Sequence, residues 1–200
     1  MVNEVFADGG GLREENILRS MFKDPVGFYG RCFKYAKEAN PEAILFYNDY
    51  NVVLDSGKRK AIKDMVGRFQ GEGYPIDGIG DQFHYMVSTD KEQIVSGFKD
   101  MASTGLLMHI SELDIRVNVE QNDSYVFNEA EAKKQADTYH RIVKMYNELP
   151  DDQKFAITTW GVSDRQTWLL DFWHHKEYPL LFDRNFKPKE AYFRFLDALD

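Results

Sequence analysis

Two periods of hydrophobicity alternate along the chain. Short continuous apolar runs read as strands, and the segments between them carry apolar residues every three or four positions, as amphipathic helices do. A first helix is predicted from Asp24-Pro25, an N-cap acid followed by proline at the first helical position; it runs through Tyr29, Cys32, Phe33 and Ala36 and stops at Asn40-Pro41. Residues 43–47 form an apolar strand that turns polar in Asn48-Asp49-Tyr50-Asn51. Ser56 is placed as the cap of a second helix with Ile62, Met65, Val66 and Phe69 on one face, and Gly71-Glu72-Gly73-Tyr74-Pro75 breaks it.

The pattern then repeats. A strand over residues 76–80 turns polar in Asp81-Gln82-Phe83-His84, and Thr89 or Asp90 caps a helix carrying Ile94, Phe98 and Met101, which Gly105 ends. The third run, Leu106-Leu107-Met108-His109-Ile110-Ser111-Glu112-Leu113-Asp114-Ile115, is apolar until it acquires two acids at alternate positions. Strand side chains alternate between faces, so Glu112 and Asp114 share one face, and two acids there need partners or a task. A polar loop over 116–127, a long amphipathic helix over about 129–149 and a fourth strand over 155–160 follow. That strand ends in Gly161-Val162-Ser163-Asp164, and a looping stretch leads to a last helix over about 188–199.

Alternating strands and helices predict an α/β fold with a parallel sheet. Every strand is apolar early and polar late, which suits a (β/α)8 barrel, whose chemistry sits at the C-terminal strand ends. An open doubly wound sheet also places ligands there, but no glycine-rich phosphate loop follows any strand. A barrel takes ~250 residues, and this chain has four full strands plus the stub Val2-Asn3-Glu4. The reading is therefore the C-terminal portion of a TIM barrel, from the end of strand 4 through helix 8, filling residues 1–200 as part of one domain.

Composition narrows the partners. A formal charge of −8 disfavours a nucleic-acid backbone. No apolar run approaches the ~20 residues of a membrane span, so no membrane partner is expected. Cys32 is the single cysteine, which excludes an intramolecular disulfide, and its neighbours at helical spacing predict a buried structural thiol. Trp173, His174 and His175 read as loop packing and surface, with no metal site, and the acids Glu120, Asp123, Glu129 and Glu131 as a solvated face.

Taken together, the polar strand ends are Val2-Asn3-Glu4, Tyr47-Asn48-Asp49-Tyr50-Asn51, Gly78-Ile79-Gly80-Asp81-Gln82-Phe83-His84, Ser111-Glu112-Leu113-Asp114 and Trp160-Gly161-Val162-Ser163-Asp164. In that order and spacing the chain resembles the C-terminal part of glycoside hydrolase family 10, the β-xylanases. Five collinear motifs carry the likeness over nearly the whole chain. Two substitutions, Ser111 for a threonine and Thr167 for a serine, both keep a hydroxyl. The resemblance implies a retaining endo-β-1,4-xylanase without cofactor or metal, acting on xylan or xylo-oligosaccharides. Such a reaction needs two carboxyl groups about 5 Å apart across the scissile bond. By the resemblance Glu112 is the nucleophile, Glu4 the acid/base, and His84 and Asp114 support the nucleophile. Asn3 matches the residue bonded to the sugar 2-hydroxyl, Gln82 a polar lining residue beside the nucleophile, and Trp160 and Trp168 the aromatic floor and lid. Tyr50, with Asn48 and Asn51, is expected to line the leaving-group side.

The family's first strands, with most contacts on the non-reducing side of the substrate, have no counterpart in these 200 residues. The chain alone is therefore expected to be weakly active or inactive. The alternative is a non-catalytic half-barrel that self-associates, binds xylan or complements a missing N-terminal half. The resemblance also implies secretion or a periplasmic location.

Overall fold

The computed structural model describes residues 2–15 and 17–199. In chain order its strands and α-helices are β1 (Val2–Asn3), α1 (Ile17–Met21), α2 (Pro25–Ala39), β2 (Phe46–Asp49), α3 (Ser56–Glu72), β3 (Gly78–Asp81), β4 (His84–Met86), α4 (Lys91–Ala102), β5 (Leu107–Arg116), α5 (Glu129–Asn147), β6 (Lys154–Thr159), α6 (Leu169–Trp173) and α7 (Glu190–Asp197). Residue contacts cluster into two units: one holds the residues up to Gln82 with Lys91–Ile110, the other Phe83–Asp90 with the residues from Ser111 onward.

In the first unit β1, β2, β3 and the start of β5 pair in parallel. Asn3 lies opposite Asn48, Asn48 opposite Gly80, and Gly80 opposite His109. Two glycines make this packing possible. A Cβ at Gly78 would lie 2.1 Å from the Phe46 ring, and one at Gly80 would lie 2.4 Å from Asn48 Oδ1. The helices begin as their sequences dictate: Asp24 accepts the Gly27 N–H at 3.0 Å before Pro25, and Arg68 clamps the same carboxylate. Asp55, not Ser56, caps α3, accepting the Lys58 N–H at 2.8 Å. Gly73 ends α3 with φ 74°, a conformation that costs glycine little.

Phe33 and Phe69 meet edge to face at 5.6 Å, and Ile62, Met65, Val66, Ile94, Phe98 and Met101 are buried with them. Each such side chain contributes about 1.5–3 kcal/mol by leaving water. Cys32 is only half-buried, because it sits at the margin of the helix face that buries Tyr29 and Phe33.

In the second unit β4 pairs in parallel with the end of β5, His84 opposite Asp114. β6 pairs with β5 as well, and the Trp160 N–H donates to the Leu113 carbonyl at 3.1 Å just beyond the strand. A strand of a parallel sheet normally buries both faces, yet Phe155 of β6 is 44% exposed. Asn128 caps α5, whose buried face includes Tyr139, Ile142, Val143 and Tyr146, and Asn147 donates to the Ala198 carbonyl at 2.7 Å beyond the end of α7.

Three short elements, α1, β4 and α6, were not predicted, being three to five residues long with no period to read. α7 starts two residues later than expected because Lys189 is extended, its N–H bonding the Leu181 carbonyl at 2.9 Å and its ammonium buried on Asp164 at 3.0 Å. Glu131 is more than a solvated acid: it pairs with Lys134 and accepts from the Tyr125 hydroxyl. No helix among the described residues is long and apolar enough to cross a membrane.

Candidate active site

The first unit brings Glu4, Asn3, Asn48 and Gln82 together at the C-terminal ends of β1, β2 and β3. Pairing of β1 with β2 extends one residue past the strand, the Glu4 N–H donating to the Asn48 carbonyl at 2.9 Å. Asn48 is buried, and its amide donates to Asn3 Oδ1 at 2.8 Å. Glu4 itself has φ 52°, a left-handed conformation uncommon for a side chain of its size. Strain of this kind persists where surrounding contacts hold it. Here the contacts are on the carboxylate: Gln82 Nε2 donates to Oε1 at 2.9 Å and Arg13 Nη1 to Oε2 at 2.5 Å. Burial pushes the Glu4 carboxyl up, but the Gln82 amide and the Arg13 guanidinium outweigh it and leave it below its ordinary value.

Gln82 was expected beside the nucleophile; the partner it takes is Glu4. Phe83 follows it with φ 61°, which interrupts strand alternation, so Gln82 lies just past β3 while His84 opens β4. Tyr50 faces the buried ammonium of Lys58, which lies 3.6 Å from the ring centre and also pairs with Asp49 at 3.2 Å. Asn51 has φ 60°, and its carbonyl accepts the N–H groups of Leu54 and Asp55, forming the turn into α3; its amide reaches Asp8 at 3.4 Å.

The second unit assembles Glu112, His84, Asp114, Trp160 and Trp168. Glu112 and Asp114 do share a face of β5, and His84 lies against both. Its Nε2 is 3.4 Å from Glu112 Oε2 and its Nδ1 is 3.0 Å from Asp114 Oδ1. The Nδ1–H does not point along the second line, so that contact is an ion pair more than a directed hydrogen bond. Asp114 is fully buried, and Trp168 Nε1 donates to its Oδ2 at 2.8 Å. The Trp168 ring also packs on the imidazole at 5.1 Å, and Trp160 meets it edge-on at 6.3 Å. Burial alone would pull the imidazole down, but the Asp114 and Glu112 carboxylates raise it to about 9. The imidazole is thus positively charged at neutral pH and lies against the Glu112 carboxyl group.

Trp160 is 46% exposed and offers a flat apolar face to a ligand. Trp168 does two things at once, holding Asp114 through its N–H and His84 through its ring. The sequence reading missed Arg13. It lies on no predicted element, and only the return of residues 5–13 as a hairpin brings it to Glu4, with Phe6 bridged to Leu12 and the Arg13 N–H bonded to the Val5 carbonyl at 3.0 Å.

Residues 1–198 match the profile of glycosyl hydrolase family 10. The endo-1,4-beta-xylanase of Geobacillus stearothermophilus is 35% identical over 97% of the chain. The family 10 structure from Paenibacillus barcinonensis superposes with a TM-score of 0.90 at 32% identity over 98% of the chain. Xylanase10C from Cellvibrio japonicus, solved with xylopentaose, does so with a TM-score of 0.90 at 32% identity over 99%. The chain spans 60%, 60% and 42% of these three proteins. The family's fold is a (β/α)8 barrel, and the parallel strands and helices described above are a portion of it. The chain belongs to glycosyl hydrolase family 10.

Proposed function

We propose that residues 1–200 are part of the catalytic domain of a retaining endo-β-1,4-xylanase and carry both of its catalytic carboxyl groups. The observation that carries this reading is His84 held between Glu112 and Asp114, which orients Glu112 and sets a positive imidazolium beside it. In the first half-reaction Glu112 attacks the anomeric carbon of a xylose unit while Glu4, protonated, gives its proton to the departing glycosidic oxygen. In the second, Glu4 takes a proton from water, which displaces Glu112 with the original configuration restored. Asn3 bonds the 2-hydroxyl, an interaction that strengthens in the transition state. Trp160 and Trp168 pack on the sugar, and Tyr50 and Asn48 flank the leaving group. The substrate is xylan or a xylo-oligosaccharide; the Cellvibrio relative was solved with xylopentaose.

A second reading is favoured by the exposed apolar residues Phe155 of β6 and Phe193 and Leu196 of α7. In it the chain binds xylan or associates with itself or with a complementing half, without turnover. An aryl β-xylobioside with a good leaving group separates the two, since its cleavage needs little help from an acid. Slow release with the β-anomer formed first, and lost by about 10⁴-fold in Glu112→Gln, is expected. Release of the α-anomer first contradicts retention. Binding of xylohexaose with no release supports the second reading.

A further inference from the structure

The Glu4 carboxylate is gripped within its unit by the side chains of Gln82, Asn3 and Arg13, and only Arg13 carries charge. Gln82, one residue past β3, donates a neutral amide hydrogen bond to Oε1 at 2.9 Å. Asn3, the last residue of β1, also bonds the Glu4 carboxylate through its side chain, while its Oδ1 accepts from the Asn48 amide. The hairpin supplies the cation. Ala7 and Gly11 close it by the Ala7 N–H to Gly11 carbonyl bond at 2.7 Å, and the Arg13 N–H to Val5 carbonyl bond at 3.0 Å fixes Arg13 directly across from the residue that follows Glu4. The guanidinium then lies on Oε2, with the Tyr50 ring 5.7 Å away and the Glu15 carboxylate 3.7 Å from Nε. Glu15 is largely exposed, whereas Arg13 and Glu4 are both about two-thirds buried, so the pair is screened less than a surface ion pair.

The geometry points to Arg13 as a positioning residue that aims the Glu4 carboxylate and biases it toward its ionised form, poising the group as a base until substrate displaces the guanidinium. The catalytic consequence rests on the acid/base reading of Glu4. The ion pair itself does not. An acid that must donate a proton in one half-reaction and accept one in the next benefits from a partner that can be set aside. A guanidinium on one oxygen leaves the other to Gln82, so losing Arg13 to a ligand would take the cation off Oε2 while Gln82 still holds Oε1. The lowered pKa of Glu4 agrees with this arrangement.

The test is direct titration of the Glu4 carboxyl by carbon NMR in the full chain, labelled at glutamate and assigned with Glu4→Gln. In Arg13→Met the Glu4 midpoint is expected to rise by about one pH unit or more. Arg13→Lys, which keeps the charge, is expected to stay nearer the parent. If Arg13→Met fails to fold by circular dichroism, Arg13→Gln is read in its place. An unmoved midpoint in the charge-removing variant overturns the proposal. The titration needs no turnover, so failure of the xylanase reading leaves it readable. In an active form of the protein, the alkaline limb of kcat/KM is expected to move up with the Glu4 midpoint. A rise in KM with that limb unmoved would also overturn it, since Arg13 would then only bind substrate.

Discussion

His84 stands between two carboxylates, its Nε2 3.4 Å from Glu112 and its Nδ1 3.0 Å from Asp114. Two like charges on one strand face repel, and a cation between them offsets that repulsion. We expect the His84 imidazole to titrate near 9, against an ordinary value of 6.5. Because the folded value lies above the unfolded one, the stabilisation is fully present below about 6.5 and is lost as the pH rises through about 9. Its size is on the order of 3 kcal/mol. Nitrogen-15 NMR of the ring across pH 6–10 checks it: a midpoint near 6.5 would mean that the carboxylates do not hold the proton.

Trp168 is expected to matter for stability as well as for any sugar. Trp168→Phe keeps an aromatic face and removes the N–H that satisfies buried Asp114 Oδ2. Leaving that oxygen unpaired costs about 1–3 kcal/mol. Urea unfolding should show a lower midpoint with an unchanged slope. An unchanged midpoint would assign Trp168 to ligand packing alone.

The buried pair Lys189–Asp164 ties the start of α7 to the loop after β6. Lys189 also donates to the Tyr178 and Leu180 carbonyls, both at 2.8 Å. Lys189→Met leaves a buried carboxylate without its cation, which costs about 3–5 kcal/mol at neutral pH. Burial already lifts Asp164 to about 6 with the lysine present. The protonated form therefore stabilises fully below about 3.8 and loses that contribution as the pH rises through about 6. The variant's deficit should accordingly shrink on acidification from pH 7 to pH 5, as measured by thermal unfolding. A deficit independent of pH would show that packing, not charge, is lost.

Much of the fold was legible because β2, β3, β5 and β6 alternate with helices whose apolar period is clear and whose ends carry Asp24-Pro25, Gly73 and Gly105. The Glu112, Asp114 and His84 grouping was legible too, through strand alternation and the family motifs. What escaped depends on backbone conformations that leave no periodic trace. The left-handed Phe83 separates Gln82 from His84 and sends the glutamine to Glu4. The left-handed Asn51 serves a turn. Arg13 reaches Glu4 through a nine-residue hairpin, and Lys58, an ordinary helix residue by sequence, ends fully buried under Tyr50 and against Asp49. Long-range pairing of charges is set by packing, which a linear pattern does not record.

The role of Glu112 is the centre of the functional reading, and covalent trapping tests it most directly. The protein is incubated with a 2-deoxy-2-fluoro xylobioside bearing a good leaving group, which slows breakdown of a glycosyl-enzyme more than its formation, and is then digested and read by mass spectrometry. We expect one fluoro-xylobiosyl adduct per chain, on the peptide containing Glu112 and absent in Glu112→Gln. An adduct on another carboxylate, or none where a full-length family 10 xylanase is labelled under the same conditions, would contradict Glu112 as the nucleophile of this chain.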